Sequence, residues 1–442
     1  MQKPTRCRMS PLFAALLIIS LSPRLAWTAA SDSDRAIAQS QHKVRRSPNN
    51  PYVYYHLGDA YIQKARESGD PTYFDLAEKA LRKSLSLNSA QSGARRHLAH
   101  VMALRHDFAA AAAEAEMAIA VDPSDVDAHG VLGDAYLEIG QLEQAEKAYK
   151  KMIVLKESLA SYSRLSGLKS LRGDHEGAVS NLKKAIELGQ EQNQPSESIA
   201  WAQWQLATDY FSQGNLSEAE SHFQKALQTY PNYYRGLAGL AQVRAAERRY
   251  DQAIGLYQKA ISVIPMPEYI AALGDVYRKI GRADEARKQY ELVEYIGKLG
   301  NVGDGRDRPQ LYNRELAYFY ADHDIKIPDG LELAEREVKQ RRDIYAYDVL
   351  AWNLYKNGKA EAARDAIAES LKLGTKDAKL FYHAGMIHYR LGDQDKAKAF
   401  LNRALSTNPH FHILFADKAA GILREIDNSA TRVAAQQQGE GS

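Results

Sequence analysis

The chain has 442 residues, 45% hydrophobic and 26% charged, with a formal net charge of +3. These proportions are globular and exclude a disordered or collagen-like chain, while the length fits two or three ordinary domains or one repetitive array. A near-neutral chain whose basic runs are as short as Arg45-Arg46 and Arg341-Arg342 lacks the phosphate-neutralising footprint of a nucleic-acid binder.

Residues 1–30 are expected to be a secretory signal peptide. Lys3, Arg6 and Arg8 precede an apolar run from Leu12 to Leu21, and small residues close it at Ala29 and Ala30. The run is shorter than the about 20 residues that span a bilayer, so cleavage after Ala30 is preferred to an uncleaved anchor. Nothing later in the chain reads as a spanning segment. Cleavage would remove four cations and the only cysteine, Cys7, taking the net charge to 3 − 4 = −1 and leaving stability to packing. The expected location is exported, and periplasmic if the source is a Gram-negative bacterium.

Residues 31–48 form a leading segment, with a helix expected over Arg35–Arg46. From 49 to 410 a leucine followed by Gly or Ala recurs. Leu98, Leu132 and Leu165 stand 34 and 33 residues apart, Leu206, Leu240 and Leu273 again 34 and 33, and Leu350 and its counterpart Ala384 are 34 apart. That step is the length of one helix-turn-helix unit. One unit carries Leu132-Gly133, Tyr136, Gly140, Ala145 and Tyr149; another carries Leu206-Ala207, Tyr210, Gly214, Ala219, Phe223 and Pro231. Gly or Ala lets two helices approach, and Leu, Tyr and Phe fill the space between them, so these repeated positions bear the fold. Gly140, Gly173, Gly214, Gly281, Gly358 and Gly392 are placed to take the left-handed conformation that ends a helix.

The pattern resembles the tetratricopeptide repeat. The resemblance implies an all-α, right-handed superhelical solenoid of about ten antiparallel helix pairs, the first helix of each lining a concave wall. Departures from the period place inserted loops near 190–198, 297–309 and 322–330. A capping helix is expected over 411–427 and a disordered tail over 428–442.

No enzyme, cofactor or metal site is expected. Gly300 and Gly305 have the separation of a phosphate loop, but Arg306 and Asp307 stand where Lys and Ser or Thr are needed. His97 with His100 and His410 with His412 have no zinc spacing, and cysteine ligands are lacking. Asp322, His323 and Asp324 make the best metal-like cluster, read here as a solvated turn.

Binding is the remaining role. Residues two before, two after and five after each landmark leucine share one helix face. Along it the middle units are small, but Trp204 and Phe211, with Trp201 one turn earlier, are not. The C-terminal units present Tyr318, Tyr345, Asp348, Trp352, Tyr355, Tyr382, Met386 and Tyr389, with Lys356 and Arg390 beside them. Such clusters suit protein-binding hot spots, although single members could instead pack between units. The Lys and Asn donors with which some family members grip C-terminal carboxylates are replaced, as by Asp348 with Trp352. The expected function is a non-catalytic cell-envelope scaffold or assembly factor. Its expected ligand is a protein or peptide segment in the concave groove, a membrane-protein complex being a candidate partner. The alternative is a glycan-binding or polysaccharide-export accessory using exposed aromatics.

Overall fold

The computed structural model describes residues 32–300 and 313–439, and among these every regular element is an α-helix. α1 (Asp32–Arg46) leads. Ten pairs follow: α2 (Pro51–Ser68) with α3 (Thr72–Leu87), α4 (Ser92–Leu104) with α5 (Phe108–Val121), α6 (Val126–Glu138) with α7 (Leu142–Leu155), α8 (Leu159–Leu171) with α9 (His175–Glu191), and α10 (Ser196–Ser212) with α11 (Leu216–Thr229). The second half comprises α12 (Tyr234–Ala246) with α13 (Tyr250–Val263), α14 (Pro267–Lys279) with α15 (Ala283–Gly300), α16 (Asn313–His323) with α17 (Ile327–Gln340), α18 (Ile344–Lys356) with α19 (Ala360–Leu371), and α20 (Ala378–Arg390) with α21 (Gln394–Thr407). α22 (Phe415–Gly439) ends the array. Each pair packs on its neighbours to give the right-handed solenoid expected from the repetition.

Local chemistry sets the boundaries. Asp125, Asp174, Asp343 and Asp393 accept backbone N–H groups at helix starts, and the six turn glycines lie at φ of 72 to 80°. Size complementarity sets the packing. A Cβ on Gly133 would sit 2.3 Å from the Tyr149 ring, and one on Gly274 2.4 Å from Tyr290. Gly133→Val is therefore expected to destabilise the chain by about 2 kcal/mol through overpacking, read as a lower urea midpoint at unchanged far-ultraviolet signal.

Several expected segment boundaries are corrected. The loop placed at 190–198 is only residues 192–195, because α9 runs to Glu191 and α10 starts at Ser196. The one at 322–330 shrinks to 324–326. Pro328 sits in the first turn of α17, where its missing N–H is tolerated, and Gly330 lies within that helix. The tail expected to be disordered is helical to Gly439, and the terminal helix starts at Phe415 and not at 411; its Ala- and Gln-rich end favours helix. Of the loop expected at 297–309, residues 297–300 belong to α15. The remainder, and the leader at 1–30, lie outside the described residues.

The superhelix also coils back on itself. The Asn408 side-chain amide donates to the Phe211 carbonyl at 2.8 Å across 197 residues, about six units of roughly 34. The Arg342 N–H donates to the Glu138 carbonyl at 2.9 Å, and Arg66 pairs with Glu197 at 3.2 Å. Gly140 accordingly lies against Arg342, Gly173 against Gly374 and Gly214 against Pro409. The concave wall thereby becomes the bore of a coil.

Candidate protein-binding surface

The first helices of the last four pairs, α14, α16, α18 and α20, turn a polar and aromatic network into this bore. The Trp352 ring lies between Tyr355 and His383, at centroid distances of 4.8 and 4.2 Å and interplanar angles of 7 and 13°. Its indole N–H donates to Asp322 Oδ1 at 2.7 Å, and Lys379 Nζ donates to Asp322 Oδ2 at 3.2 Å. Burial alone would raise the Asp322 carboxyl, but Lys379 and the rings of His412, His383 and His323 hold it down at about 2. Asp348, fully buried, accepts from the Tyr318 hydroxyl at 2.7 Å and faces His383 Nδ1 at 2.9 and 3.0 Å.

On α14, Asp275 gathers the Tyr290 hydroxyl at 2.8 Å, His323 Nε2 at 2.7 Å and His412 Nε2 at 3.5 Å. The other nitrogen of His323 faces the Phe319 carbonyl at 2.7 Å. An acceptor faces each ring nitrogen, and Asp275, with Asp322 and the Phe319 carbonyl, raises the His323 pKa above its ordinary value against the opposing effect of burial. His412 is instead pushed down to about 4 by burial, helped by Lys379 and His323, although Asp275 and Asp322 pull the other way. Its folded value lies below the ordinary 6.5, so its contribution to stability is complete above pH 6.5 and is lost as pH falls toward 4. Nuclear magnetic resonance at pH 5.5 is expected to find the His412 ring neutral.

Asp322, His323 and Asp324 face three separate partners, the last pairing with Lys356 at 2.6 Å. Among the described residues no group of three or more His, Cys, Asp or Glu side chains is arranged so that it could hold a metal ion.

This network is covered by the chain itself. Phe415 stacks on Tyr382 at 5.1 Å and meets Trp352 edge-on at 6.4 Å, while Phe411 tilts onto Tyr382 at 5.5 Å. Ile413 joins the apolar cluster of α12 to α14, and Lys279 pairs with Asp417. Trp352, Tyr382, Met386 and Asp348 are therefore buried and not open groove surface, and Phe211 is buried between the fifth and sixth pairs. Tyr318, Tyr345, Tyr355 and Tyr389 are half-buried, and Arg390 is exposed.

A different stretch of wall remains accessible. Trp201 and Trp204 on α10, Tyr234 and Arg235 on α12 and Tyr269 on α14 are half-buried there. The Arg235 guanidinium lies 5.0 Å over the Trp204 ring and 5.2 Å over Tyr234, which meets Tyr269 at 6.2 Å. Among the described residues no carboxylate lies within ion-pairing distance of it. Glu268 is open to water yet enclosed by the bore, and that enclosure, with Glu315 nearby, raises its carboxyl to about 7. The stripe drawn from the landmark leucine stops short of Arg235 and Glu268; carried one helical turn earlier, it reaches both. Phe411, His412 and Phe415 carry no signal of the kind, since their partners are distant in sequence.

Four family models described as tetratricopeptide repeat match the chain, at residues 157–232, at 210–275, at 102–160, and at 267–296 with 378–411. It is 24% identical over 288 residues to Protein IFIT1 homolog B of Homo sapiens, covering 62% of this chain and 53% of that protein. It is likewise 24% identical over 213 residues to Protein O-mannosyl-transferase TMTC3 of Homo sapiens, covering 46% of this chain and 23% of that one. The chain thus spans about half the length of the first relative and about a quarter of the second. Among solved structures, yeast Tom70 aligns over 92% of this chain and 100% of its own, at 13% identity and a TM-score of 0.39.

Proposed function

The chain belongs to the tetratricopeptide repeat family, and we propose that it is a non-catalytic scaffold of the cell envelope that binds a protein or peptide segment in its bore. The observation carrying this reading is the shelf around Arg235. Tryptophan, tyrosine and arginine are the residues on which interface energy concentrates, and here they share one accessible stretch of wall. A guanidinium already stacked on two rings keeps its edge free and has lost part of its rotamer freedom. It is set to take a carboxylate bidentately from an otherwise apolar, extended segment. Export is supported by the pattern of residues 1–30, and no helix among the described residues is long and apolar enough to cross a membrane.

The test is a photo-reactive residue at Trp201, activated in an envelope extract, beside the same chain carrying Arg235→Ala. One crosslinked protein, with at least tenfold weaker capture by the alanine chain, is the expected result. Equal capture by both chains would move the site off this shelf. Retention of glycan with no crosslinked protein would transfer the aromatics to sugar binding.

A further inference from the structure

The bore of the last four pairs is built as a ligand site, and the chain's own residues 408–419 fill it. We propose that this segment is an internal ligand, displaced by a partner segment carrying two aromatic residues four apart and a carboxylate shortly after them. The inference rests on the reading of the bore as a peptide-binding surface.

Position is the first support. Among the described residues most junctions between pairs hold three or four residues, as at 122–125, and that between α19 and α20 holds six, whereas the seven residues 408–414 separate α21 from α22. The longer connection carries Phe411, His412 and Ile413 across the bore, so that they reach α12 and α14, several units upstream, as well as α20. A helix that only capped the last pair would touch none of the upstream units. The later part of α22 does act as a cap: Glu425 accepts from the Tyr389 hydroxyl at 3.1 Å and Asp427 pairs with Lys398 at 2.5 Å. Releasing residues 408–419 therefore need not uncover the end of the array.

Imperfect fit is the second support. Tyr382 and His383 are fully buried, yet the Tyr382 hydroxyl and His383 Nε2 have no hydrogen-bond partner. Buried polar atoms are ordinarily satisfied, and an orphaned one is destabilising. Lys418 is exposed, yet partial desolvation together with the like charges of Lys356 and Arg278 lowers its ammonium pKa. A cavity of about 210 Å³ remains between the segment, at Pro409 and Ile413, and the wall at Gln242, Tyr257 and Lys279. The resident segment supplies two rings and, in Asp417, an anion for Lys279, but leaves two polar atoms and part of the groove unserved. A segment with the same rings and carboxylate, plus an acceptor over Tyr382, fits better.

Hydrogen exchange on the unaltered full chain provides the first measurement. Amides of Ala416–Arg424 are expected to exchange at least tenfold faster than those of α18 and α20; exchange of all three together, only on global unfolding, would overturn the proposal. The second measurement uses a labelled synthetic peptide copying residues 408–424. It is expected to bind a Phe411→Ala, Phe415→Ala full chain at least tenfold more tightly than the unaltered one, with an Asp417→Lys peptide binding weakly to both. No gain in binding by a variant of unchanged helicity counts against the proposal, and if the variant does not fold the exchange result decides. Failure here alongside continued Arg235-dependent capture makes residues 408–419 a fixed plug in a bore that still binds protein. Failure of both removes the bore as a binding surface.

Discussion

Trp352→Ala is expected to lower the stability of the last units by about 4 kcal/mol, near the upper end for a single core truncation. The ring is fully buried, stacked between Tyr355 and His383, met edge-on by Phe415, and hydrogen-bonded through its N–H to Asp322. Alanine leaves a cavity the size of an indole and removes a donor from a buried carboxylate. Trp352→Phe keeps much of the volume and loses the donor, so about half that effect is expected. Urea unfolding followed by circular dichroism measures both, and hydrogen exchange should confine the loss to α16–α22, because a solenoid unit touches chiefly its neighbours. A loss below about 1 kcal/mol would return Trp352 to the surface role expected from its place on the stripe. Weaker partner binding by Trp352 or Tyr382 variants would in any case report packing before it reported recognition.

Asp348→Ala is expected to cost about 3 to 5 kcal/mol, the range for breaking a buried pair by removing one partner. The carboxylate is fully buried and serves both Tyr318 and His383. Alanine leaves the imidazole Nδ1 without an acceptor and the hydroxyl with only the longer contact to the Tyr345 carbonyl, at 3.2 Å. Asp348→Asn keeps one oxygen for Tyr318 and is expected to lose less. Thermal unfolding of the two variants side by side separates the interaction from the volume it fills, and equal midpoints would show that the hydrogen bonds contribute little.

The ten pairs and their turns were legible because they rest on local causes. The step from Leu132 to Leu165, the glycine at 140 and the Gly133–Tyr149 contact all lie within one unit or at its border with the next. The inner face was legible for the same reason, as a helix carries residues at offsets of three and four on one side. Trp201 and Trp204 accordingly fall on the accessible wall, and one more turn of the same stripe finds Arg235. Short loops were less legible. Pro328 and Gly330 read as breakers, but proline is tolerated in a first helical turn and glycine is required where Asn353 packs against it, a Cβ there lying 2.5 Å from Asn353 Oδ1.

By itself, then, the sequence determined the unit, the number and order of the pairs, and which side of each first helix faces inward, since these depend on periodicity and side-chain size within about 34 residues. Only the tertiary structure decided which inward-facing residues stay open. That depends on the superhelix closing over itself, through contacts such as Asn408 to Phe211, and on Phe411 and Phe415 folding back over Trp352 and Tyr382. No period records contacts between residues so far apart in the chain. Their burial follows from where the backbone turns after α21 and from the hydrophobic gain of placing two rings against two others in an enclosed bore.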